Sequence, residues 1–79
     1  MVTPKTAEDW AERAASFLKA KLKEREVTYV ELAKRLKRHG LKETEGGITM
    51  KLKRGTFSAT FMLACLAALE LEGIQLEDI

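Results

Sequence analysis

Between Lys34 and Arg54 the sequence sets eight Lys and Arg side chains against two carboxylates, a local charge of +6. Cations at this density are suited to holding polyanions, and against duplex DNA each neutralised phosphate releases counterions. Lys34, Arg35, Arg38, Lys42, Lys51, Lys53 and Arg54 are therefore the candidate phosphate contacts. Gly46 and Gly47 admit two readings: backbone N–H groups approaching a phosphate, or a loop or tight packing point. Thr49 and Met50 are candidate base-edge contacts, and Met50 equally a contact to a partner chain. Glu45 complements a helix N-terminus and would repel phosphate.

Other chemistries find little material. The sequence holds one His and one Cys, which excludes an intramolecular disulfide and argues against a zinc site. His39 follows a basic stretch beside Gly40 and reads as a surface residue near a helix C-terminus. Cys65 sits in the most apolar segment and reads as a small buried hydrophobe. Gly46-Gly47 belongs to neither a G-x-G-x-x-G fingerprint nor a phosphate-binding G-K-[ST] loop, and Gly55–Ser58 is helix punctuation. The expectation is a non-enzymatic protein with no cofactor, no metal and no small-molecule substrate.

The elements that must position these residues are helices. In the first, Thr6 to Asp9 has capping-box spacing, and Trp10, Ala14, Phe17, Leu18 and Leu22 recur on one face as far as about Arg25. Thr28 and Glu31 open a second helix whose stripe is Tyr29, Leu32, Ala33 and Leu36, with Gly40 as its left-handed stop and Leu41 folding back on Leu36. A third runs from the cap Thr44 to Gly55. Ile48 and Leu52 face inward; a step of 100° per residue puts Gly46, Met50, Lys53 and Arg54 outward, with Thr49 and Lys51 on the flanks. A fourth follows Ser58, with Phe57 and Met62 placed as a hydrophobic staple. It is apolar nearly all round, and a single neighbouring layer can hardly cover it. Such a helix is either the centre of the core or part of a subunit interface; on the second reading Phe61, Met62, Leu63, Leu66 and Leu69, with Ile74 and Leu76 from an extended tail, are the expected homodimer interface.

Whole-chain properties frame this reading. Seventy-nine residues make one domain, 1–79, with 46% hydrophobic and 33% charged residues, the balance of a globular protein. The net charge of +2 hides a division: residues 1–18 carry −1, residues 19–54 carry +7 and residues 55–79 carry −4. The longest nearly apolar run, Ala59 to Leu69, is too short to span a bilayer. No charged segment precedes a hydrophobic one at the start, so the default location is the cytoplasm.

Thr28-Tyr-Val-Glu-Leu-Ala33, then Ile48-Thr-Met-Lys-Leu-Lys-Arg-Gly55, then Phe57-Ser58 and an apolar helix resemble the lambda-repressor/Cro-like (XRE-type) helix-turn-helix domains. More closely, Val27 to Ser58 is similar to a small bacterial domain family of unknown function that shares Glu43–Glu45 and the Lys51–Ser58 run. That likeness extends over most of the chain, including Trp10 and the acidic-apolar tail. The resemblance implies an all-α, compact four- to five-helix domain with a lambda-repressor-like helix-turn-helix core. Its turn is elongated, because Ala33 and Ile48 stand fifteen positions apart. The third helix also offers no Asn, Gln or Arg in its first turns, where bidentate base contacts usually originate. The expected function is non-catalytic DNA binding in transcriptional regulation, with the helix around residues 45–54 in the major groove. The alternative is a protein-interaction or dimerisation module on the same fold.

Overall fold

Among the described residues the chain enters each of four α-helices through a hydroxyl residue in extended conformation. In a computed structural model, which describes residues 3–79, α1 runs Ala7–Glu24, α2 Tyr29–Arg38, α3 Glu45–Arg54 and α4 Ala59–Ala68. The hydroxyl oxygens of Thr6, Thr28, Thr44 and Ser58 accept from the N–H groups of Asp9, Glu31, Gly47 and Phe61 at 3.0–3.1 Å. Such a cap satisfies an otherwise orphaned donor and contributes about 1 kcal/mol. All four stand where the sequence predicts them. The expected domain begins at residue 1, but Met1 and Val2 lie outside the described residues.

The exits are as regular as the entries. α2 closes in a Schellman motif: Leu41 N–H donates to Leu36 O at 3.0 Å, Gly40 N–H donates to Lys37 O at 3.1 Å, and Gly40 has φ +85°. α1 and α4 close with the same bond pairs, but their left-handed residues are Glu26 (φ 56°) and Glu70 (φ 60°), which lack the freedom of glycine. α3 ends at Gly55, with φ +72°, where a Cβ would stand 2.9 Å from the Ala11 carbonyl oxygen. Gly55 thus both turns the chain and allows the end of α3 to lie against α1.

α3 packs between α1 and α2, and α2 packs in turn against α4. Phe17, Leu18 and Leu22 meet Leu32 and Leu36, Ile48 and Leu52, and Phe61 and Cys65 in one core, closed by Val27 and Leu69 at helix exits. Removing each large side chain from water contributes about 1.5–3 kcal/mol. The described residues form a compact all-helical unit of 34 × 23 × 20 Å without strands. None of its helices is long and apolar enough to cross a membrane.

Two expectations are corrected. Phe17 is a core anchor, but Trp10 is 40% exposed. Ala7 to Asp9 before it are exposed as well, and the first buried residue of α1 is Ala15, so the core begins beyond the first two turns of the helix. The tail is not an extended partner strand either. Leu76–Asp78 forms a 3-10 turn, Ile74 and Ile79 pack partly on the core, and Arg13 Nη1 donates to the Ile79 carbonyl oxygen at 2.9 Å.

Candidate nucleic-acid interface

With Ile48 and Leu52 buried, helical geometry turns Gly46, Thr49, Met50, Lys53 and Arg54 outward, and all five are exposed. Their chemistry is uneven along the helix. Gly46 has no neighbour within 4 Å of where a Cβ would be, so its backbone is open to close approach. Thr49 Oγ1 donates to the Glu45 carbonyl oxygen at 2.8 Å, which ties up the hydroxyl proton. Met50 is 45% exposed. Lys53 and Arg54 end the helix, where its dipole favours cations.

The two glycines, indistinguishable in sequence, separate here. A Cβ on Gly47 would lie 3.2 Å from Thr44 Oγ1 and 3.3 Å from Glu43 Oε1. Its N–H is already given to Thr44. Gly47 therefore makes room for the cap and for the Glu43 carboxylate, which is the packing reading.

That carboxylate holds Lys51. The ammonium donates to Glu43 Oε1 at 2.9 Å and Oε2 at 3.1 Å, and stands 5.4 Å from the centre of the Phe61 ring. Lys51 therefore braces α3 against α4 and the α2–α3 connection, an internal role that the sequence does not announce. Arg35 is also engaged internally: it donates to Glu31 at 3.3 Å and to the Ala68 carbonyl oxygen at 3.1 Å, tying α2 to the end of α4. Both internal roles involve an acceptor distant in sequence, Glu43 for Lys51 and Ala68 for Arg35.

Lys34, Arg38, Lys42, Lys53 and Arg54 remain exposed, with no ion pair among the described residues. They do not form one group. Lys53 and Arg54 border a cleft of about 560 Å³ between α1 and α3, floored by Ala11, Ala15 and Leu52. Lys19 of α1 lines the same cleft, so three basic residues from two helices border it, with Glu8 and Glu12 also on its wall. Arg38 instead borders a smaller cleft of about 200 Å³ between α2 and α4, beside Glu31, Arg35 and Glu70. Lys19 escaped the sequence reading as a site residue. Its signal was its place in the basic middle block of residues 19–54.

The expected dimer surface also divides. Phe61 and Leu69 are each 1% exposed and belong to the core of the single chain, so they are unavailable to a partner. Met62, Leu66 and Ile74 are half-buried against that core. Leu63 at 65% and Leu76 at 53% are open. α4 carries no charged residue, and its outward positions are Ala59, Thr60, Leu63 and Ala67. Cys65 is the buried thiol expected: burial, helped by Glu43 and opposed by Lys51, pushes its pKa from 9.0 to about 12.

A family model described as a domain of unknown function (DUF6471) matches residues 10–74. That span takes in all of α2, α3 and α4, most of α1, and Lys19. No curated protein and no solved structure matches the chain.

Proposed function

We propose that this chain, which belongs to the DUF6471 family of domains of unknown function, is a non-catalytic DNA-binding domain of helix-turn-helix type. α2 and α3 are the helix pair in this reading, and the outer face of α3 turns to the major groove. The observation that carries it is that Lys19, Lys53 and Arg54, from two helices, border one cleft beside that exposed face. Such a cluster grips phosphates and sets the register of a helix on the duplex. Lys34, Arg38 and Lys42 are further backbone contacts on the α2 side. The Gly40 stop and the six-residue connection 39–44 support the helix-turn-helix assignment, with a longer turn than the lambda-repressor-like pattern. Transcriptional regulation is the role this binding serves.

Fluorescence anisotropy with mixed-sequence duplex DNA across a salt series tests the reading. Wild type is expected to bind in the micromolar range at low salt and to weaken steeply as salt rises. The variant Lys19→Glu, Lys53→Glu, Arg54→Glu is expected to lose binding while keeping its helical circular dichroism. Lys51 is left intact because its loss would strand Glu43. No binding by wild type at low salt overturns the proposal.

A second reading draws on α4, where Leu63 stands open in the middle of an uncharged helix. In this reading α4 is a protein-interaction or homodimer face, formed by Leu63 with the margins of Met62 and Leu66. Self-association through α4 leaves α3 free, so a dimer would present two recognition helices to two half-sites. A species of single-chain mass in light scattering at all concentrations up to millimolar would eliminate the homodimer.

A further inference from the structure

We infer that α3 discriminates duplexes by apolar contact with thymine 5-methyl groups rather than by hydrogen bonds to base edges; this rests on the DNA-binding reading above. In a helix-turn-helix the residues toward the start of the second helix reach the base edges. Here that half presents Gly46, Thr49 and Met50 outward. None of the three extends a free hydrogen-bond donor. Gly46 has no side chain and no neighbour within 4 Å of its Cβ position, so a base edge can approach the backbone closely. Thr49 Oγ1 spends its proton on the Glu45 carbonyl oxygen at 2.8 Å, leaving its methyl as the apolar end of the side chain. Met50, 45% exposed, adds a flexible thioether that adapts its shape to what it meets. Glu45, the charged residue in this half, is an acceptor only and sits where the helix dipole favours its charge.

Lys53 and Arg54 carry the donors, but they lie in the last turn, bordering the same cleft as Lys19 and about 4.5–6 Å along the axis from Met50, and serve the phosphates. In the major groove the feature that an apolar face can recognise is the thymine methyl. Cytosine and uracil lack it. Burying one methyl is equivalent to about a fourfold change in affinity.

The test needs no knowledge of an operator. A duplex of alternating adenine and thymine presents thymine methyls in every register. The same duplex with deoxyuridine for thymidine keeps every phosphate and every hydrogen-bonding group. Anisotropy titrations of the full chain with both are expected to show at least fourfold tighter binding to the thymine duplex. The double variant Thr49→Ser, Met50→Ala, changed only at exposed positions, is expected to bind both duplexes within twofold and to keep the wild-type salt dependence. Equal binding of the two duplexes by wild type overturns the methyl contact and leaves DNA binding standing. A thymine preference that persists in the double variant overturns α3 as its source. Binding to neither duplex at low salt overturns this inference together with the DNA-binding reading.

Discussion

At the scale of single residues, strain and burial are concentrated where helices end and meet. Gly55 combines a left-handed φ of +72° with a Cβ position 2.9 Å from the Ala11 carbonyl oxygen. Gly55→Ala is therefore expected to cost about 2–3 kcal/mol from the backbone conformation and the forced separation of α3 from α1, read as a lowered midpoint in urea unfolding. Glu70 makes the opposite case: it holds φ 60°, and its side chain has no hydrogen bond or ion pair among the described residues. Glu70→Gly is expected to raise stability by about 0.5–1 kcal/mol, because the relief of the left-handed cost exceeds the extra freedom of the unfolded chain. Cys65 adds a pH dependence. Its folded pKa of about 12 lies above the unfolded 9.0, so its contribution is fully present below about pH 9 and is lost as pH rises toward 12. Over that window stability is expected to fall steadily as the unfolded chain's thiol ionises and the folded one does not. Cys65→Ala, though less stable at neutral pH, is expected to show a shallower decline between pH 9 and 10; an unchanged slope would refute the assignment.

At the scale of elements, α3 is the helix with least of its own to hold it. Its fully buried residues are Ile48 and Leu52, and two glycines occupy its first turn. Each glycine costs about 1 kcal/mol relative to alanine in a helix interior. Gly46 has open space around its Cβ position, so Gly46→Ala is expected to raise the thermal midpoint by about 4–8 °C, the equivalent of about 1 kcal/mol in a domain of this size. Gly47→Ala is expected to fall below Gly46→Ala, because the added methyl presses on the Thr44 cap and on the carboxylate that holds Lys51. Scanning calorimetry of the two variants checks the order, and equal midpoints would refute it. The same contrast shows what the sequence makes legible. Thr6, Thr28, Thr44, Ser58, Gly40 and Gly55 were readable because a cap or stop is decided within four or five residues of chain. The roles of Gly47, Lys51 and Arg35 were not, because each depends on a partner brought by folding: Glu43 eight residues before Lys51, Ala68 thirty-three after Arg35. Phe61 and Leu69 were misplaced for a related reason. An apolar helix shows no polar side to orient it, so which of its residues face the core is fixed by its neighbour α2.

At the scale of the whole molecule, the division of charge along the sequence survives folding only in part. Within the basic middle block of +7, Lys51 and Arg35 are paired internally and Arg38 opens on a different cleft from Lys53 and Arg54. The acidic residues Glu8 and Glu12, from a stretch of chain that reads as nearly neutral, are meanwhile brought to the wall of the cleft that Lys19, Lys53 and Arg54 border. If a phosphate backbone lies on those three cations, the two carboxylates oppose it through the same short range of field, about 10 Å at 0.1 M salt. Glu8→Gln with Glu12→Gln is then expected to tighten DNA binding several-fold at low salt, with the gain shrinking as salt rises, because removing two exposed like charges acts through screened repulsion. Stability should change by no more than about 0.5 kcal/mol, since both side chains are exposed. A double variant that binds DNA no tighter than wild type at low salt would place the backbone contacts elsewhere, on Lys34 and Arg38 of α2 and Lys42 of the α2–α3 connection. If the proposed DNA binding holds, the measurement distinguishes the two places for it, because the acids share a cleft with one group of cations and lie outside the cleft that Arg38 borders.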